Sequence, residues 1–104
     1  MILVLGSVIA RENRVEEALA LSREHVERSR AEPGCVSHAV YRDPENPLRL
    51  VFVEEWETSE ALWEHFKVPA SREFARALAE LASEAPSIAI YDGAPVQMPG
   101  GNAA

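Results

Sequence analysis

The order of strand-like and helix-like segments constrains the fold of this 104-residue chain more than any other sequence feature. Residues 2–10 are rich in β-branched and aliphatic side chains, and residues 35–42 alternate between apolar and polar, which predicts two strands. Residues 49–56 and 87–91 predict two more. The segment 43–47 contains two prolines together with Asp and Asn, so it predicts a turn that joins the second and third strands in a hairpin.

Helical periodicity fills the two longer intervals between these strands. Apolar residues recur every three or four positions from Val15 to Val26, and Asn13 followed by Glu16 predicts the N-cap of this first helix. A second helical region begins at Thr58 or Ser59, either of which can cap it. It is interrupted before Pro69, because a residue that precedes proline avoids helical geometry, and it then continues towards residue 86.

The resulting order, β-α-β-β-α-β, predicts an α+β ferredoxin-like fold with both helical regions on one face of a four-stranded antiparallel sheet. The third strand carries Leu50 and Phe52 on one side and Val51 and Val53 on the other, so neither side suits water. A second copy of the sheet is the simplest cover, which predicts a homodimer. We assign residues 1–92 to the domain and residues 93–104 to a tail that is flexible or contacts a partner.

Charge and composition exclude several classes of protein. The net charge is −7 and no cluster of Lys and Arg occurs, which argues against binding nucleic acid or an anionic membrane surface. Cys35 is the only cysteine, so neither an intrachain disulfide nor a cysteine-based zinc site is expected. The apolar start of the chain is too short to span a bilayer and follows no basic segment, so we expect a cytoplasmic protein.

The sequence offers no familiar cofactor motif. The three histidines fall on three different predicted elements, without the four-residue spacing that makes a helical metal site, so we predict no metal. The chain has no Gly-rich loop for phosphates and no nucleophile elbow. The absence of these motifs suits an enzyme without a cofactor, and it equally suits a protein without catalysis.

An ordered set of short motifs lies between residues 32 and 65, namely Glu32-Pro33-Gly34-Cys35, Tyr41-Arg42-Asp43, Phe52-Val53-Glu54-Glu55-Trp56, Ser59-Glu60-Ala61 and His65. This set resembles the antibiotic biosynthesis monooxygenase family, which includes small quinol monooxygenases. The resemblance covers roughly residues 30–66, and the order of elements extends it to about residues 2–92. It implies a dimeric α+β barrel with a pocket between sheet and helices in each subunit. Haem-degrading relatives differ from this chain at His65 and Ala75.

The resemblance implies a cofactor-independent monooxygenase that oxidises a quinol-like or polycyclic phenolic compound with O₂. Once deprotonated, such a substrate can itself reduce O₂, so the protein supplies an apolar pocket, a base and a stabiliser for the oxyanion. His65 is the predicted base, since imidazole exchanges protons near neutral pH. Its alternative role is to interact with the last carbonyls of the second helix.

Glu54 and His38 are the predicted polar supports. By strand alternation Glu54 faces the same layer as Phe52, where it could orient His65, take a proton, or form a salt bridge across the dimer to Arg42 or Arg49. His38 lies within a strand, either as a second acid/base group or as a hydrogen-bonded structural residue.

Aromatic residues near this layer are the predicted walls of the pocket. Trp56, Trp63 and Phe52 could hold a flat substrate, although core packing is the alternative for each. His25 falls on the charged side of the first helix, and we predict that it faces solvent.

Two other functions fit the same residues. An isomerase or lyase could use the same base to move a proton next to a carbonyl group without O₂. A non-enzymatic dimer that binds an apolar small molecule needs only the pocket.

Overall fold

The computed structural model describes residues 1–101 and confirms the predicted ferredoxin-like order. The sheet has strand order β2-β3-β1-β4, and every neighbouring pair is antiparallel. The predicted break before Pro69 divides the second helical region into two helices. The elements are β1 Ile2–Ile9, α1 Val15–Ser29, β2 Cys35–Asp43, β3 Asn46–Trp56, α2 Ser59–Lys67, α3 Pro69–Leu81 and β4 Ser87–Asp92.

The ends of the helices follow local chemistry, with one exception to the prediction. The Thr58 hydroxyl accepts a hydrogen bond from the backbone amide of Ala61 at 3.1 Å, which confirms the predicted cap of α2. The predicted cap at Asn13 is wrong, because the residue that flanks α1 is Arg14 and it makes no side-chain cap bond. Asn13 instead has a φ of 72°, in the left-handed region that asparagine tolerates better than most residues.

Two buried apolar clusters fill the layer between the sheet and the helices. The larger cluster packs α1 and α3 against β1 and β3, and it contains Phe52. The smaller cluster contains Trp56 and Leu62 of α2. Glu54 lies between Phe52 and Trp56 on the same face of β3 and is also buried. A carboxylate therefore stands where the two clusters meet, and its burial requires polar partners.

The other face of the sheet, here called the open face, carries apolar side chains that no helix covers. Leu5 pairs with Val53 across β1 and β3, and Tyr41 pairs with Val51 across β2 and β3. Leu5 and Tyr41 are exposed, and the two valines are half-buried. Tyr91 of β4 lies on the same face. The second side of β3 is therefore apolar, as predicted, and no helix within residues 1–101 packs on it.

The segment after β4 adds no helix or strand between residues 93 and 101. Its start is tied to the sheet, because the amide of Gly93 donates to the carbonyl of Met1 at 2.9 Å. The rest of the predicted tail, residues 102–104, lies outside the described residues. Within residues 1–101, none of the helices has the length and apolar character that crossing a membrane requires.

Candidate functional site

A cavity of about 290 Å³ opens between the sheet and α3. Its size is at the lower end of the range for small-molecule pockets. Most of its wall is apolar, and the polar groups in the wall belong to a few side chains. The apolar wall includes Val8, Phe52, Phe66, Phe74, Leu78 and Ile88, and the polar groups come from Ser7, His25, Glu54, His65, Ser71, Arg72 and Ser87.

Three buried histidines meet beside this cavity. His25 of α1, His38 of β2 and His65 of α2 have ring centroids 5.2–5.6 Å apart. One nitrogen from each ring lies within 4.8 Å of the others. The absence of a four-residue spacing therefore did not keep the histidines apart, because the fold brings three different elements to one place.

The prediction that His25 faces solvent is wrong. The residue is 5% exposed, and its ring stacks on Phe74 with centroids 3.9 Å apart and an interplanar angle of 7°. Spacing could have revealed this, because His25 lies three residues after Ser22 and four before Ser29, both of which are buried on α1. Burial, and then the charges of the neighbouring His38 and His65, lower the pKa of His25 to about 3. His25 is therefore a neutral imidazole near pH 7.

His65 forms a close pair with Glu32, a residue to which the sequence analysis gave no role. Nδ1 of His65 lies 2.8 Å from Oε1 of Glu32. With Glu32 as a carboxylate, which can only accept a hydrogen bond, Nδ1 is the donor, and in the neutral imidazole Nε2 then carries the lone pair. The His65 side chain is buried and that of Glu32 is largely so. The pair therefore holds one tautomer of His65 beside the cavity.

Gly34 allows the loop that carries Glu32 to approach α2 closely. Its φ is 83°, and a Cβ at this position would lie 2.5 Å from the Cβ of Ala61. Ala61 and His65 are four residues apart on α2 and share a face of the helix. The absence of a side chain at Gly34 thus brings the loop onto the face that presents His65, and Glu32 lies two residues earlier.

Glu54 has its partners within the same chain. Nε1 of Trp56 donates to Oε1 of Glu54 at 2.9 Å. Nε2 of His38 lies 3.2 Å from the same oxygen, an ion-pair distance without hydrogen-bond geometry. Burial pushes the pKa of Glu54 up, but the contacts with His38 and Trp56 outweigh it and leave the pKa below its usual value. Glu54 is therefore a carboxylate near neutral pH and does not contact His65 by a hydrogen bond of its own.

The two arginines that were candidate partners of Glu54 bind elsewhere in this chain. Arg42 pairs with Glu16 of α1 at 2.7 Å, and Arg49 pairs with Asp43 at 3.1 Å.

The predicted aromatic walls are only partly brought together. Phe52 lines the cavity. Trp56 is fully buried and does not line the cavity, and the centroid of its ring lies 4.7 Å from that of His65. Trp63 is 44% exposed on the outer side of α2, where its ring contacts Phe66. Phe66 lines the cavity instead, together with Phe74.

The comparisons with known proteins agree with this architecture. The family model described as antibiotic biosynthesis monooxygenase matches residues 1–83. An uncharacterised protein of the cyanobacterium Synechocystis, sll1783, is 35% identical over 96 residues, which cover 92% of this chain and 65% of that protein. The chain thus spans about two thirds of the length of this relative.

Solved structures show the same fold. One described as an antibiotic biosynthesis monooxygenase is 25% identical and covers 91% of this chain and 100% of its own, with a TM-score of 0.84. A conserved protein from Methanosarcina mazei is 29% identical over 86% of this chain and 89% of its own, with a TM-score of 0.83. A Deinococcus radiodurans protein has a TM-score of 0.88 at 23% identity, covering 96% of this chain and 100% of its own, which shows the fold alone. By the extent of the family match, the chain belongs to the antibiotic biosynthesis monooxygenase family.

Proposed function

We propose that this protein is a cofactor-independent monooxygenase that oxidises a quinol-like or polycyclic phenolic compound with O₂. The observation that carries the proposal is the Glu32–His65 pair beside an apolar cavity. The pair supplies a base of defined tautomer, and the cavity supplies an environment for a ring system of small size. Phe52, Phe66 and Phe74 are the proposed aromatic walls.

The proposed reaction uses His65 to move one proton. Nε2 accepts the phenolic or enolic proton of the substrate, and the carboxylate of Glu32 stabilises the imidazolium that results. The substrate anion passes an electron to O₂, and the radical pair recombines to form a carbon–oxygen bond. His65 returns its proton to the peroxide formed. Loss of water from the hydroperoxide then leaves one oxygen atom in the product as a carbonyl group.

Glu54 and His38 do not transfer the substrate proton in the proposed reaction. Glu54 lines the cavity as a carboxylate, which makes it a poor base for a phenol near neutral pH. Its negative charge lies beside His38 and helps to stabilise positive charge in the histidine cluster. We assign it and His38 a supporting electrostatic role.

Oxygen consumption with menadiol and with an anthrone, corrected for autoxidation, tests the proposal. His65→Ala is expected to lower kcat by about 100-fold or more, the usual contribution of a positioned general base. Glu32→Gln should lower kcat less, because an amide can still hold the ring by a hydrogen bond but carries no charge to stabilise the imidazolium. Glu64→Ala on the same helix is the matched control and should retain full activity, since this side chain is exposed and does not line the cavity. Folded wild-type protein that consumes no O₂ above background with either compound would contradict the proposal for those substrates.

A proton-moving isomerase or lyase is the second candidate, and the same pair favours it, since taking a proton next to a carbonyl needs no O₂. Exchange of solvent deuterium into a carbonyl substrate, dependent on His65 and without oxygen uptake, would favour this reaction. Binding of an aromatic ligand that is unchanged by His65→Ala, with neither activity, would favour a binding protein.

We also propose that two copies of the chain associate through their open faces. Leu5 and Val53 lie side by side near the middle of this face, and covering them would remove apolar surface from water. Val53→Glu is expected to give a monomer in sedimentation equilibrium, because it would place a charge between the sheets. Ala20→Glu adds the same charge at an exposed position of α1 and should leave the dimer intact. A wild-type monomer at all concentrations would rule out this association.

A further inference from the structure

We propose that His25, His38 and His65 form a binding site for one divalent transition-metal ion of the zinc type. This inference goes beyond the proposed oxygenase, which uses no metal. The three rings are buried and come from α1, β2 and α2, so the folded chain places them together before any ion is present. Imidazole nitrogen is a preferred ligand of zinc and of its neighbours in the transition series.

The geometry requires only a modest contraction. One nitrogen from each ring lies within 4.8 Å of the others. Metal–nitrogen bonds of about 2.0–2.1 Å at tetrahedral angles would place these nitrogens about 3.4 Å apart. We expect rotation of the side chains about χ1 and χ2 to cover this difference. Each ring is held by a different element, so the three can approach from different sides.

His38 supplies an independent indication. Its ring is 2% exposed, yet neither Nδ1 nor Nε2 has a hydrogen-bond partner. Buried polar atoms are rarely left in this state, because each lost hydrogen bond is costly. A metal ion bound to Nδ1 would satisfy that nitrogen, and a turn of the ring would let a proton on Nε2 be donated to the Glu54 carboxylate, which lies 3.2 Å away.

The surroundings of His65 match those of metal-ligating histidines. Such histidines usually donate their second N–H to a carboxylate, a backbone carbonyl or water, and Nδ1 of His65 is hydrogen-bonded to the Glu32 carboxylate. The lone pair of His65 Nε2 is therefore free for an ion. Glu32 and Glu54 also bring two negative charges close to the cluster, which favours a cation. His25 and His65 line the cavity, so the fourth coordination position can open towards a small molecule.

One group opposes binding and makes the proposal testable. Nη2 of Arg28 donates to Nδ1 of His25 at 3.1 Å. If His25 binds the ion through Nδ1, Arg28 competes directly for the lone pair. If it binds through Nε2, the proton must move to Nδ1, and Arg28 must again withdraw. Replacing Arg28 should therefore strengthen metal binding, which a merely structural cluster would not predict.

Titration of the untagged, EDTA-treated protein with Co²⁺ tests the site directly. These are the only three histidines of the chain, so no imidazole outside the cluster can contribute. We expect one equivalent of Co²⁺ with the intense visible absorption of a four-coordinate ion, and displacement of Co²⁺ by Zn²⁺. Cys35→Ser is the matched control for binding through sulfur and should leave the spectrum unchanged. Wild-type protein that binds no stoichiometric Co²⁺ or Zn²⁺ would overturn the proposal.

Three variants sharpen the test. His25→Phe keeps the stacking on Phe74 but removes a ligand, and should weaken binding by more than 100-fold, since loss of an outer partner alone costs about 10–100-fold. Glu32→Gln, which alters the hydrogen-bond partner of a ligand, should weaken metal binding by about 10–100-fold. Arg28→Met should tighten binding several-fold. Unchanged affinity in His25→Phe that is folded by circular dichroism, or weaker binding in Arg28→Met, would refute the assignment.

The consequence for activity rests on the proposed function. An ion bound to Nε2 of His65 takes the lone pair that the base requires, so stoichiometric Zn²⁺ should inhibit oxygen consumption and EDTA should restore it. The titration with Co²⁺ uses no substrate. Its failure would therefore leave the oxygenase proposal standing, and failure of the oxygenase assay would leave the metal site standing.

Discussion

Replacing Gly34 by alanine should destabilise the protein and separate the two reasons for a glycine at this position. The φ of 83° costs an L-residue about 1–2 kcal/mol. The new Cβ would lie 2.5 Å from the Cβ of Ala61, whereas carbon atoms prefer about 3.5–4.0 Å. Relief of such a contact typically costs about 1–3 kcal/mol. Together these terms predict a loss of about 2–5 kcal/mol in the free energy of unfolding.

A thermodynamic cycle with Ala61→Gly distinguishes the backbone term from the steric term. Urea unfolding of the four proteins, followed by far-ultraviolet circular dichroism, gives the free energies. Ala61→Gly alone should cost about 0.5–1 kcal/mol as a helix glycine. The double variant removes the clash but keeps the strained φ, so its loss should be about 1–3 kcal/mol smaller than the sum of the single losses. Strict additivity, or Gly34→Ala within 0.5 kcal/mol of wild type, would refute this reasoning.

Three further expectations follow from single contacts. Trp56→Phe leaves buried Glu54 without its indole donor, and calorimetry should show a loss of about 1.5–3 kcal/mol from that hydrogen bond alone. Thr58→Ala removes the side-chain cap of α2 and should cost about 1 kcal/mol in urea unfolding. The amide of Glu45 donates to Asp43 and lowers its pKa. The stabilisation is therefore present above the ordinary aspartate pKa and lost as pH falls, so Asp43→Asn should flatten the acid limb of stability against pH.

The sheet and its faces could be predicted because they depend on short-range patterns. Alternation along β3 placed Glu54 with Phe52 on the covered face, and the structure agrees. The proline at position 69 located the break between α2 and α3. These features follow from backbone sterics and from side-chain direction within one element, and both depend only on residues that are close in the sequence.

The partners within the site could not be predicted in the same way. The pairing of Glu32 with His65 depends on a loop whose approach to α2 is fixed by a tertiary contact at Gly34. The periodicity of apolar residues within one helix or strand does not indicate a contact between a loop and a helix. The prediction for His25 was wrong for another reason. Its charged neighbours in the sequence suggested the polar side of α1, whereas its spacing from Ser22 indicates the buried side.

All three histidines of this chain lie in one buried cluster, so their imidazole groups report on the candidate site alone. In a proton or nitrogen NMR spectrum, each imidazole resonance comes from the candidate site, with no surface histidine to assign or subtract. Tautomers, ligand contacts and exchange with solvent at His25, His38 and His65 can therefore be followed in the unmodified chain, without isotopic editing of single residues.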